Sequence, residues 1–151
     1  MLRDDLEVAL NDLIIALREA ADAYETAAEI VEAGDGAAYF GSARDDHRAL
    51  ARRLESEQRS LGHLPKGPDR ERELVREAVS RVKAGLLEGE AALLAEREAE
   101  EVRIAACAAA VLELDATLSD SLRKVVTDAR RHAEDHAVKL AAMAASAVNR
   151  G

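Results

Sequence analysis

Apolar side chains recur at three- and four-residue intervals through nearly the whole chain, with so few breaks that only long α-helices satisfy the pattern. In the first stretch Leu6, Leu10, Leu13, Leu17, Ala20, Tyr24, Ala27 and Val31 share one face of a helix predicted over 2–33. Gly34, Asp35 and Gly36 end it, because glycine accepts the left-handed backbone of a helix C-terminal cap. A second helix over 37–61 presents Phe40, Ala43, His47, Leu50, Leu54 and Leu61, and the short turn before it makes the pair antiparallel. Both prolines fall between Gly62 and Pro68, which reads as a linker. A shorter helix over 69–87 has a narrow apolar face of Leu74, Ala78, Val82 and Leu86. Gly85 and Gly89, each about 1 kcal/mol less favourable than alanine inside a helix, separate it from a helix over 90–114. Thr117 with Asp120 three residues later resembles a capping box for the last helix, over 118–148, whose stripe is Leu118, Leu122, Val125, Ala129, His132, His136, Leu140 and Met143. No stretch alternates β-branched or aromatic residues as a strand would.

The chain of 151 residues therefore reads as one all-α domain over 1–151, long enough to bury a core without disulfides. Its single cysteine, Cys107, lies in the apolar run Ile104–Leu112 and reads as a small packed hydrophobe. That run is far short of the roughly 20 residues that span a bilayer. The start, Met1-Leu2-Arg3-Asp4-Asp5, carries acid where a secretion or transit signal carries basic residues, so a cytoplasmic location is expected. A net charge of -9 argues against nucleic acid and anionic membranes as partners, since both select basic surfaces. Alanine-rich faces on the last two helices permit close packing within the chain or in a homo-oligomer.

One apolar stripe is interrupted by acid. On the helix over 90–114 the core-facing series Ala91, Leu94, Glu98, Glu101, Ala105, Ala108 and Leu112 has two carboxylates at its centre. An ionised carboxylate taken from water costs several kcal/mol unless a cation, an imidazole or a metal compensates it. Counting residues along each helix from the turns brings His47, His132 and His136 to the height of Glu98 and Glu101, all on inward faces. Tyr24, with Asp22 or Glu25, stands at the same height on the first helix. Imidazole and carboxylate from facing helices form a ligand set for iron or another divalent metal, with Glu98, Glu101, His132, His136 and His47 as candidate ligands. The same layer without a metal is a salt-bridged device that sets helix register in an interaction or self-association module, the histidines being the counter-charge and Arg97 and Arg103 folding over the acids from the flanks.

Leu10-Asn11-Asp12-Leu13-Ile14, Tyr24, Ala27-Ala28-Glu29, Leu54, Leu61-Gly62, Val82-Lys83-Ala84-Gly85-Leu86, Glu96, Glu98, Glu101, Arg123, Val125-Val126 and His136 together resemble a little-characterised bacterial branch of the ferritin-like superfamily. The resemblance implies a ferritin-like four-helix bundle, two antiparallel hairpins joined by a shorter crossover helix between the second and third long helices. It also implies a di-metal carboxylate site. The sequence departs from the wider superfamily in lacking Glu-x-x-His: the residues three before His47, His63, His132 and His136 are Arg44, Ser60, Ala129 and Ala133. That absence disfavours ferroxidase or oxygen-using di-iron chemistry and leaves an atypical Glu/His metal layer as the expectation.

Overall fold

A computed structural model describes residues 5–31, 35–63, 68–114, 116 and 118–150. Among the described residues its elements are five α-helices: α1 (Asp5–Ile30), α2 (Asp35–Ser60), α3 (Pro68–Leu87), α4 (Glu90–Leu112) and α5 (Asp120–Arg150). Among the described residues there is no strand. No described helix is long and apolar enough to cross a membrane.

Side-chain pairs fix the directions of the helices. Asn11 with Gln58, Arg18 with Glu55 and Glu25 with Arg48 run in opposite senses along α1 and α2, so those two are antiparallel. Ser121 with Glu57, Asp128 with Arg53, and His136 with Tyr39 make α5 antiparallel to α2 in the same way. The short connection after α4 returns the chain as α5, and these two helices share the most extensive packing in the bundle. α2 and α4 therefore run the same way. α3 packs on α1 and α4.

The stripes predicted for the first two helices become core. Leu10, Leu13, Leu17, Tyr24 and Ala27 of α1 are fully buried, as are Ala43, His47 and Leu54 of α2, while Leu61, just beyond α2, is exposed. Of the face predicted for α3, Val82 is fully buried, and the side chains of Leu74, Ala78 and Leu86 lie outside the described residues. Cys107 is half-buried against the core, and burial pushes its thiol pKa up, as expected of a packed hydrophobe.

The breaks between helices have local causes. Gly34 and Thr117 lie outside the described residues, and Asp35 and Gly36 open α2. Gly89 adopts φ 111° immediately before α4, a backbone conformation that disfavours other residues. At Gly85 a Cβ would meet Leu93 Cα at 3.3 Å, so the helix-weakening glycine of the sequence also lets α3 and the start of α4 approach closely.

Ser119 caps α5: its hydroxyl accepts a hydrogen bond from the Leu122 amide at 3.1 Å. A Ser119→Ala substitution is expected to cost about 1 kcal/mol of stability, read from the urea midpoint, with the native far-UV spectrum retained.

Candidate metal centre

His47 lies on the buried face of α2, four residues after Ala43 and one turn before Leu50. Its Nδ1 is 2.6 Å from the Ala43 carbonyl oxygen. A carbonyl only accepts, so Nδ1 carries a proton and the free direction of the ring is Nε2. Nε2 is 2.7 Å from Glu101 Oε1, and both side chains are 0% exposed. The pair meets ion-pair distance without the alignment of a hydrogen bond, so Nε2 remains without a hydrogen-bond partner, as does Glu101 Oε2. The Tyr24 hydroxyl donates to the same Glu101 Oε1 at 2.6 Å. An imidazole nitrogen and a carboxylate oxygen this close need a positive charge at or beside the pair. Either a proton on Nε2 or a metal ion supplies it.

His132 and His136 enter from α5 at i and i+4, a spacing that stacks both rings on one side of the helix. Their centroids are 4.2 Å apart, and those of His47 lie 5.3 Å from His132 and 5.4 Å from His136. One nitrogen from each of the three rings lies within 4.8 Å of the others, an arrangement that could hold a metal ion. Nitrogens bound to one tetrahedral ion at ~2.1 Å are about 3.4 Å apart, so the three rings must draw closer to hold one.

Electrostatics favours bare imidazoles here. Burial, reinforced by the neighbouring His132, pushes His136 down to about 4, and burial and the charge of His47 lower His132 as well. Both rings are therefore neutral at pH 7 and each keeps one lone pair for a cation. Burial pushes the Glu101 pKa up, but His47, Tyr24 and His136 outweigh it and hold the carboxyl below its usual range. Burial and the Glu101 charge raise Tyr24, and burial with Glu101 and Asp46 pushes Tyr39 up to about 12. Both phenols therefore stay protonated: Tyr24 donates to Glu101, and the Tyr39 oxygen can accept from His136 Nδ1–H, the tautomer that leaves the Nε2 lone pair for a cation.

The structure thus brings together every candidate ligand named from the sequence except Glu98. Glu101 joins the cluster through His47, and the three imidazoles form its centre. Glu98 is half-buried and stands outside that group. The reason is helix phase: the buried face of α4 is Leu93, Leu94, Arg97, Glu100, Glu101, Ile104, Ala108 and Val111, which turns Glu98 to the flank. Asp22 and Glu25 do not turn inward; both pair with Arg48 at the α1–α2 surface. Tyr39 was missed because it sits beside the Phe40 stripe, where only its partner on α5 reveals its direction.

A second polar layer occupies the other side of α4. Glu19 of α1, 3% exposed, is held by Arg81 of α3 and by Arg103 at 3.0 Å. Glu100 pairs with the same two arginines at 3.4 Å each. Arg97 is fully buried over the Tyr24 ring, 5.4 Å from its centroid. Burial would lower the Arg97 pKa, but the two hydrogen bonds to Glu96, at 2.6 and 2.5 Å, outweigh it and raise the value. The arginines therefore fold over Glu19, Glu96 and Glu100, leaving Glu101 to the histidines. Comparisons with protein-family models, with curated proteins and with solved structures give no match to this chain.

Proposed function

We propose that the chain is a ferritin-like bundle that binds one divalent metal ion, iron or zinc by ligand type, through His47, His132 and His136 with Glu101 at its side. The observation that carries this reading is the convergence of three imidazole nitrogens within 4.8 Å beside a buried carboxylate. Two features of the donor set support it. His47 Nε2 and His132 Nε2 are buried without a hydrogen-bond partner, the condition a ligand atom needs. The Nδ1 of His47 is anchored on the Ala43 carbonyl, the kind of outer hydrogen bond that fixes the ring of a metal-bound histidine.

The ferritin-like part of the proposal rests on helix order. α1 with α2 and α4 with α5 are antiparallel hairpins whose second and third long helices run the same way. α3 is then the crossover that carries the chain back along the bundle. With no Glu-x-x-His, the ligand set suits one ion with a place for water or a small ligand, and di-iron oxygen chemistry is not part of the proposal.

Untagged protein stripped with a chelator is expected to take up one equivalent of zinc or iron(II). Saturation at 100 times Kd should raise stability by about 2.7 kcal/mol. A His132→Asn, His136→Asn variant of native helicity should bind more than about tenfold more weakly. Failure of the unaltered chain to bind either metal, with no metal-dependent rise in melting temperature, overturns the reading. The 2.7 Å approach of His47 to Glu101 then favours the second one, a protonated imidazole paired with the carboxylate as a register device between α2 and α4.

A further inference from the structure

The imidazole cluster is shielded unevenly. His47 and His136 are 0% and 6% exposed, whereas the His132 side chain is 26% exposed. His132 forms part of the wall of a groove of about 380 Å³ between α2 and α5, lined also by Asp46, Ala49, Leu50, Arg53 and Asp128. The groove is therefore a path from solvent to one ligand of the cluster.

Its two carboxylates are not equivalent. Asp128 is engaged by Arg53 at 3.0 Å and by Lys124 at 3.6 Å, so its charge is already answered. Asp46 is half exposed, and its Oδ2 lies 3.8 Å from His132 Nε2, too far for a hydrogen bond. That separation is one a cation can bridge at ~2.1 Å from each atom. Asp46 is also the residue before His47, so α2 presents one donor to the groove and the next to the interior.

Resting on the metal reading above, we propose that the α2–α5 groove is the port through which a hydrated divalent cation enters and leaves the cluster, with Asp46 as the transient ligand that passes it to His132. A hydrated ion sheds its water in steps. A half-exposed carboxylate replaces the first water while the rest of the shell stays in solvent. His132 replaces the next, and the buried His47 and His136 complete the exchange. Each step swaps a bound water for a protein ligand, with no change of oxidation state.

The test is stopped-flow loading of the metal-stripped full chain with cobalt(II), followed by its removal with a chelator. Asp46→Asn withdraws the transient ligand. Ala49→Phe narrows the groove from an exposed wall position that supplies no imidazole. Both are expected to slow loading and release by about threefold or more while equilibrium affinity stays within about twofold. Added salt should slow loading of the unaltered chain more than that of Asp46→Asn. Unchanged rates in both variants overturn the port while leaving the metal site standing. Weaker affinity with an unchanged loading rate in Asp46→Asn also overturns it, by making Asp46 a fixed support of His132. A chain that takes up no cobalt removes the metal reading and the port together.

Discussion

Replacing Glu101 with alanine is expected to destabilise the metal-free protein by roughly 3–5 kcal/mol, the cost of breaking a buried ion pair from one side. The magnitude follows from what remains. The Tyr24 hydroxyl loses its acceptor, and His47 Nε2 is left in the interior with no carboxylate. Because three helices meet at Oε1 of this one residue, neighbouring water cannot replace it without opening α1, α2 or α4. Glu101→Gln keeps an acceptor for Tyr24 and should cost less, roughly 1–3 kcal/mol. Glu98→Ala, on the flank of the same helix, should cost within about 1 kcal/mol. Urea unfolding followed by helicity measures all three, and equal losses for Glu101→Ala and Glu98→Ala would remove Glu101 from the centre of the network.

The second large effect is acid sensitivity. An unfolded His136 takes up its proton near 6.5, whereas in the fold it does so only near 4. Between these values the unfolded chain binds a proton that the native chain does not, so stability falls as the pH drops from 6.5 to 4 and this contribution levels off below. The limit for this residue is about 3 kcal/mol, reduced to roughly 1–2 kcal/mol by solvent that reaches the cluster through the groove at His132. His132 adds in the same direction. Glu101, held below its usual range, acts in a more acid window: its contribution is present above 4.5 and is lost as the pH falls through its native value. Urea midpoints of chelator-treated protein across this range check the slope, and His136→Gln should flatten it between 6.5 and 4. A midpoint that holds constant there in the unaltered chain contradicts the burial of neutral imidazoles.

The helices were legible in the sequence because their stripes repeat at the helical period and few glycines or prolines interrupt them. Counting heights along those helices also put His47, His132, His136 and Glu101 in one layer, since height depends only on the rise per residue. Rotation about the helix axis was harder to read. Arg97 is charged and was placed at the flank, yet it is the largest fully buried side chain. Moving it inward turns Glu98 out and Glu100 in. No local pattern announces that choice, because it depends on Tyr24 offering a ring face and on Arg81 of another helix meeting Glu100. Glu19 and Tyr39 were illegible for the same reason, each being explained only by partners far away in sequence.

The neighbours Glu100 and Glu101 give α4 two differently governed seams. Toward α3 Glu100 is held by Arg81, and toward α1 Arg103 of α4 reaches Glu19; both guanidinium groups keep their charge at any pH a cell experiences. Toward α2 and α5 its acid Glu101 lies among imidazoles, and burial holds His132 and His136 neutral until the pH falls below the usual histidine range. A fall in pH therefore acts on the imidazole side of α4, while the charges on its guanidinium side stay unchanged. The groove at His132 opens on that same imidazole side, so solvent protons reach the responsive face of α4 directly.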